Sequence, residues 1–173
     1  ATRDELEEYA SQSYEDVVED LLHPERSPDI EEDLLSRYNG WDHNTPGGAP
    51  LWLYRMVNTQ RPLEEKIALF WHHVFATGMA KSENAPAHHQ QIAMFRRVGL
   101  SDVRTILIEL SKDPAMIFWL DNNENHRGEP NENYGRELLE LFSMGVGNYA
   151  EEDIKMAGRA FTGWTFEQPI PLY

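Results

Sequence analysis

Apolar residues along this chain recur at intervals of three and four, and the strict alternation expected of a half-buried strand is nearly absent. That pattern commits the backbone to helices. A chain of 173 residues is long enough to bury roughly 70% of its unfolded surface as one domain. The fold class expected is all-α, a compact multi-helix orthogonal bundle without a significant sheet.

Local signals place the helices. Ser13-Tyr-Glu-Asp16 reads as a capping box that opens a helix through Val17, Val18, Leu21 and Leu22, and Pro24 ends it. A short helix carrying Ile30, Leu34, Leu35 and Tyr38 should stop at Asn39-Gly40. The Gly- and Pro-rich stretch from Trp41 to Pro50 is the main internal loop. Further helices are expected over Leu51–Asn58, from Pro62 to about Thr77, and from Asn84 or Ala85 to Gly99. Ser101 should cap the next, through Leu110, and Asp113-Pro114 should start a short one ending at Leu120. Two last helices are expected over 131–144 and 151–164. Residues 165–173, with Pro169 and Pro171, read as an extended tail.

Charge narrows the function. Thirty acidic residues against 15 basic ones give a net charge of −15. A surface for nucleic acid needs an electropositive stripe, so that class is excluded, as is docking on anionic lipid. No apolar run is long enough to insert in a membrane; the best, Ile67 to Ala76, contains two histidines. With no cysteine, thiolate metal sites and cysteine nucleophiles are excluded. Serine-hydrolase, P-loop and dinucleotide signatures are missing. No signal peptide is visible, and the compartment is not legible.

The segment Asp121 to Glu132 concentrates the polar chemistry. Oxygen-bearing side chains at Asp121, Asn123, Asn125 and Glu132, between two helices, match the spacing by which a calcium loop holds its ion. Calcium is the cofactor this reading implies. His126, however, stands where such loops carry glycine. The competing reading is a polar helix connection built from Asx turns, with Gly128-Glu-Pro130 turning the chain.

In the helix that follows, Tyr134, Leu138, Leu141 and Phe142 form an apolar face, with Glu137 at its edge and Glu140 along the same seam. A half-buried Glu137 is either an acid–base group or metal ligand, or one half of an ion pair with Arg96, Arg136 or Arg159. The run Ile67–Ala76 is apolar nearly all round and should be central. Its histidines point about 100° apart, so His72 and His73 cannot serve one site. His72 is the acid–base candidate of the two, against a core histidine as the plain alternative. His88 and His89 should be exposed.

Several of these stretches, taken together, resemble a known bacterial family, the domain of unknown function 1800. They are Arg61-Pro-Leu-Glu-Glu-Lys with Phe70-Trp-His-His-Val-Phe-Ala-Thr77, Asp113-Pro-Ala-Met with Leu120-Asp-Asn, Asn131-Glu-Asn-Tyr-Gly-Arg-Glu-Leu-Leu-Glu-Leu141, and Ala160-Phe-Thr-Gly-Trp164. Many members carry histidine where this chain has Val74 and Phe142. That leaves His72, Glu137 and Glu140 as the matching polar positions. Members are usually longer, with a second helical half. The resemblance therefore implies that this chain is an N-terminal part, whose partner would be that further half or another protein chain. It also implies export, but no reaction.

Two functions remain. One is a metal-dependent protein, with calcium at Asp121, Asn123, Asn125 and Glu132 and acid–base work by Glu137 and His72. The other is a non-catalytic scaffold or partner-binding module. There the same residues form a structural network, with Arg136 and Arg159 paired to Glu137 and Glu140.

Overall fold

The structure, a computed structural model, describes residues 2–31, 48–82 and 84–166, with only the backbone described for residues 5 and 48–50. Among these residues there are ten α-helices: α1 (Arg3–Ser11), α2 (Tyr14–Leu22), α3 (Gly48–Asn58), α4 (Pro62–Val74), α5 (Met79–Ser82), α6 (Ala85–Val98), α7 (Val103–Lys112), α8 (Pro114–Trp119), α9 (Asn133–Glu140) and α10 (Glu151–Ala160). Short 3-10 turns cover Pro24–Arg26 and Asn122–Glu124. The described residues form no sheet, only a single bridge between His126 and Glu129. The chain is all-α. The helix expected around Ile30–Tyr38 and most of the Trp41–Pro50 loop lie outside the described residues, as does most of the 165–173 tail.

Capping chemistry sets most boundaries. The Ser13 hydroxyl accepts the Asp16 N–H and opens α2, and Pro62 occupies the first turn of α4. Asn84 and Asp113 cap α6 and α8. At α7 the cap is Asp102 rather than the expected Ser101. The Asp102 carboxylate accepts the Thr105 N–H at 3.0 Å, while the Ser101 hydroxyl turns back to the Val98 carbonyl. The last two helices are shorter than expected. They end at Glu140 and Ala160, and in the turns that follow Gly145 and Gly163 adopt φ of 78° and 82°, a left-handed geometry that suits glycine.

Helix α6 is the hub and packs on α3, α4, α7 and α8. Its Phe95 joins Ala68 and Phe75 from the α4 region, Ile106 and Leu110 from α7, Met116 from α8 and Tyr134 from α9 in one core. Phe75 stacks on Trp71 and meets Phe142 edge-on at 5.1 Å. Each buried Phe, Ile, Leu or Met side chain here contributes about 1.5–3 kcal/mol. Helix α4 is central on one face only. Glu65, Ala68 and Phe75 are buried, whereas Leu69, Phe70 and Val74 face outward.

Helices α9 and α10 form an antiparallel pair that depends on glycine. A Cβ on Gly135 would lie 2.8 Å from the Gly158 nitrogen, and one on Gly158 would lie 3.2 Å from the Asn131 carbonyl oxygen. This close approach brings the 121–133 segment against the middle of α10.

Candidate functional site

The asparagines of 121–133 turn inward. Asn125 is 1% exposed. Its Nδ2 donates to Asn122 Oδ1 at 3.1 Å and to the Gly158 carbonyl at 2.8 Å, and its Oδ1 accepts the Asn131 N–H at 3.0 Å. The Asn125 carbonyl accepts the Gly163 N–H, and Asn133 Nδ2 donates to the Leu120 carbonyl. The segment therefore stitches α8, α9 and α10 together. Asp121, the sole described non-glycine residue with positive φ (57°), accepts Lys81 Nζ at 2.6 Å. The same ammonium donates to the Trp119 carbonyl. Glu132 lies 3.9 Å from Arg136. The exception is Asn123: its Nδ2 donates to Glu124, but its Oδ1 is buried without a hydrogen-bond partner.

The expected pairing of Arg136 and Arg159 with Glu137 and Glu140 needs correction. Arg136 makes a bidentate pair with Glu151 at 3.1 and 2.9 Å. The antiparallel packing places that first-turn carboxylate of α10 opposite Arg136. Glu140 accepts the Tyr149 hydroxyl at 2.6 Å, and the exposed Arg159 reaches, among the described residues, only the Met156 sulfur. Glu137 is half-buried as expected, and its carboxylate has no partner among the described residues. Leu141, expected on the apolar face, is 67% exposed because α9 ends at Glu140. Phe142 packs on Phe75, and Val74 points out.

The buried charge of this fold lies elsewhere. Glu65, 2% exposed, accepts Trp52 Nε1 at 2.8 Å on one oxygen, and Arg55 Nε at 3.1 Å and Arg96 Nε at 2.7 Å on the other. Arg96 thus belongs to Glu65 rather than Glu137, and burial lowers its pKa against the raising effect of that carboxylate. Sequence reasoning overlooked this cluster. Its signal was the inward stripe Glu65, Ala68, half-buried His72 and Phe75, spaced three, four and three, which puts a carboxylate where only a paired one is tolerated.

A second polar chain, from His88 through Thr77 and Gln91 to Asp113, runs beside it. His72 packs edge-on against Trp52 at 5.4 Å; burial lowers its pKa, and its Nδ1 is buried without a hydrogen bond. His88, expected exposed, is 7% exposed: Thr77 and Ser82 occupy its two ring nitrogens at the start of α6. Gln91 Nε2 donates to Asp113 Oδ2 at 2.8 Å. Burial raises the Asp113 carboxyl to about 6. On the far side of Asp113 a cleft of about 340 Å³ opens between α6 and α7, with the Arg97–Glu109–Lys112 ion pairs among its lining.

Among the described residues, no three His, Asp or Glu side chains are grouped to hold a metal ion. No described helix is long and apolar enough to cross a membrane. No curated protein and no solved structure matches the chain. A family match covers residues 1–171, essentially the whole chain. With that coverage, and with the resembling motifs lying on α4, α8, α9 and α10, the chain belongs to the family described as "Protein of unknown function (DUF1800)".

Proposed function

We propose that this chain is a helical module that docks another protein, and that the polar residues of 121–133 are its internal clasp. The observation that carries the clasp is Asn125, whose amide is closed to solvent and committed at every polar atom to the elements around it. A residue so committed orders helices; it does not wait for a ligand.

The docking face is the outer strip of α4. Phe70 and Val74 share one side at i, i+4 spacing, with Leu69 on the flank of the same outward arc beyond exposed Lys66 and His73; the three apolar side chains are 51%, 40% and 44% exposed. Adjacent exposed apolar side chains of this size are characteristic of interaction surfaces. The partner this face suits is an apolar helical surface with a basic rim, because the chain carries a net charge of −15. The test is a photo-crosslinking residue placed at position 70 in cells, with position 15 on α2 as control. A discrete adduct at 70 that disappears with Val74→Asp is expected. Equal labelling at both positions refutes the docking face.

One observation favours a second reading, a cation at the loop: the buried, unpartnered Asn123 Oδ1. Calcium would use that oxygen with Asp121, Asn125 and Glu132, and Glu137 and His72 would be the acid–base groups. Elemental analysis together with melting curves in calcium and in chelator tests it. A calcium-dependent rise in Tm that is lost in Asp121→Ala would establish the cation and overturn the clasp.

A further inference from the structure

The polarity of one hydrogen-bond chain in the core fixes a tautomer. It begins at Asp113, whose Oδ2 accepts the Met116 N–H and Gln91 Nε2, each at 2.8 Å. With its nitrogen facing a carboxylate, Gln91 presents its oxygen at the other end. Thr77 Oγ1 lies 2.7 Å from that Oε1 and must donate its proton there. Thr77 therefore has only lone pairs left for His88 Nδ1 at 3.2 Å, so Nδ1 carries the ring proton. His88 Nε2 is left as the basic nitrogen, and it faces Ser82 Oγ at 2.6 Å. A second acceptor for the Ser82 hydroxyl, the Gly78 carbonyl, is 3.4 Å away and loses to the shorter contact. Ser82 is half-exposed and His88 is buried.

We propose that Ser82 and His88 form a nucleophile–base dyad that accepts acyl groups from activated carboxylic esters. This activity goes beyond the docking role and uses none of its residues. A hydroxyl donating to the unprotonated nitrogen of a histidine whose other nitrogen is held by a hydrogen bond is the arrangement that activates serine. Thr77, Gln91 and Asp113 are positioning residues. They link the ring to a carboxylate through two neutral groups rather than directly, which stabilises the imidazolium less than a direct contact does. The substrate class is therefore an ester with a good leaving group, such as an aryl ester.

The step balances. Ser82 Oγ attacks the carbonyl carbon and its proton passes to His88 Nε2. The bond to the aryloxy group breaks, and the phenol leaves with that proton. Water, with His88 again as base, then hydrolyses the acyl-serine to the free acid. Burial and the neighbouring His72 and His89 lower the His88 pKa, which keeps the ring in the neutral, proton-accepting form at pH 7.

The absence of cysteine gives a direct test, because Ser82→Cys creates the sole thiol of the chain. An aryl fluorophosphonate should label the unmodified protein once, at Ser82, releasing fluoride. Labelling should vanish in Ser82→Ala and fall at least roughly a hundredfold in His88→Gln, within the range a general base supplies. Ser143→Ala should label like the parent. In Ser82→Cys, alkylation by iodoacetamide should titrate at least about one unit below the ordinary thiol pKa, and His88→Gln in that background should restore it. Thr77→Val should lower the labelling rate and shift its pH profile. Labelling at another residue, or a thiol with ordinary pKa in folded Ser82→Cys, overturns the dyad.

Discussion

Asn125→Asp separates the clasp from the calcium loop, because the two readings give it opposite signs. The substitution keeps shape and replaces a donor with an acceptor. Nδ2 donates to Asn122 Oδ1 at 3.1 Å and to the Gly158 carbonyl at 2.8 Å, so a carboxylate oxygen there faces two acceptors in a site 1% exposed. Two hydrogen bonds are lost: the Asn122 oxygen stays buried without that donor, and the Gly158 carbonyl keeps only the long Phe161 N–H contact at 3.3 Å, at about 1–3 kcal/mol for each acceptor. A total of about 3 kcal/mol corresponds to a Tm drop of roughly 6–12 °C for a chain of this length. The defect should also depend on pH. Burial with the Asn131 N–H as its one side-chain donor, against two facing acceptors, raises the new carboxyl pKa in the folded state above its unfolded value, so the penalty is full above the folded pKa and is relieved as pH falls through it. Thermal melts by circular dichroism at pH 7.5 and pH 4.5, with and without calcium, read both effects. If the carboxylate stabilises the protein and does so more in calcium, position 125 is a cation ligand and the clasp reading fails.

Three further substitutions probe the frame around the site. Glu65→Ala should cost about 3–5 kcal/mol, since it leaves Arg55 and Arg96 partly buried without their shared carboxylate, whereas Arg136→Ala, which breaks an exposed pair, should leave the denaturant midpoint nearly unchanged. Asp113, with its pKa raised to about 6 by burial, makes the folded state bind a proton more readily than the unfolded one; stability should fall as pH rises from about 4 to about 6, and Asp113→Asn should flatten that slope while keeping the α8 cap, as read by urea midpoints across this range. Gly135→Ala should lower Tm, because its Cβ meets the Gly158 backbone at 2.8 Å and overpacking costs about 1–3 kcal/mol, while Gly128→Ala, with nothing within 4 Å, should be neutral or slightly stabilising in the same melts.

Helix positions were legible because their signals are local. Ser13, Pro62, Asn84 and Asp113 act on backbone groups within a few residues, and each sits at the helix start expected of it. Ser101 misled by one position because an adjacent Asp102 offers a stronger acceptor from an extended backbone. The polar partners were not legible, because they are set by which helices meet. Arg96 could serve any carboxylate on a facing helix, and only the α4–α6 contact assigns it to Glu65. Arg136 was matched to a neighbour on its own helix, but the glycine contact between α9 and α10 delivers it to Glu151. His88 looked like a surface histidine at a helix start. It is buried because Thr77 and Ser82, which precede it by 11 and 6 residues, fold back onto both ring nitrogens.

The polar residues of the interior thus fall into three sets with different consequences. Around Glu65 one anion faces two arginines and an indole, which leaves the carboxylate saturated and unavailable as a base. Around Asn125 every group is neutral and mutually bonded, so the order it imposes on α8, α9 and α10 does not depend on pH. Around His88 the chain is neutral in the middle and titratable at both ends, with Asp113 at one and the imidazole within reach of a half-exposed hydroxyl at the other. Of the three, only this last set can move a proton without first breaking an ion pair or leaving a buried amide unpaired. The α5–α6 junction is therefore where Ser82→Ala, at a half-exposed hydroxyl, should abolish the reaction and leave the melting temperature nearly intact, whereas His88→Gln, at a buried ring bonded through both nitrogens, should lower both.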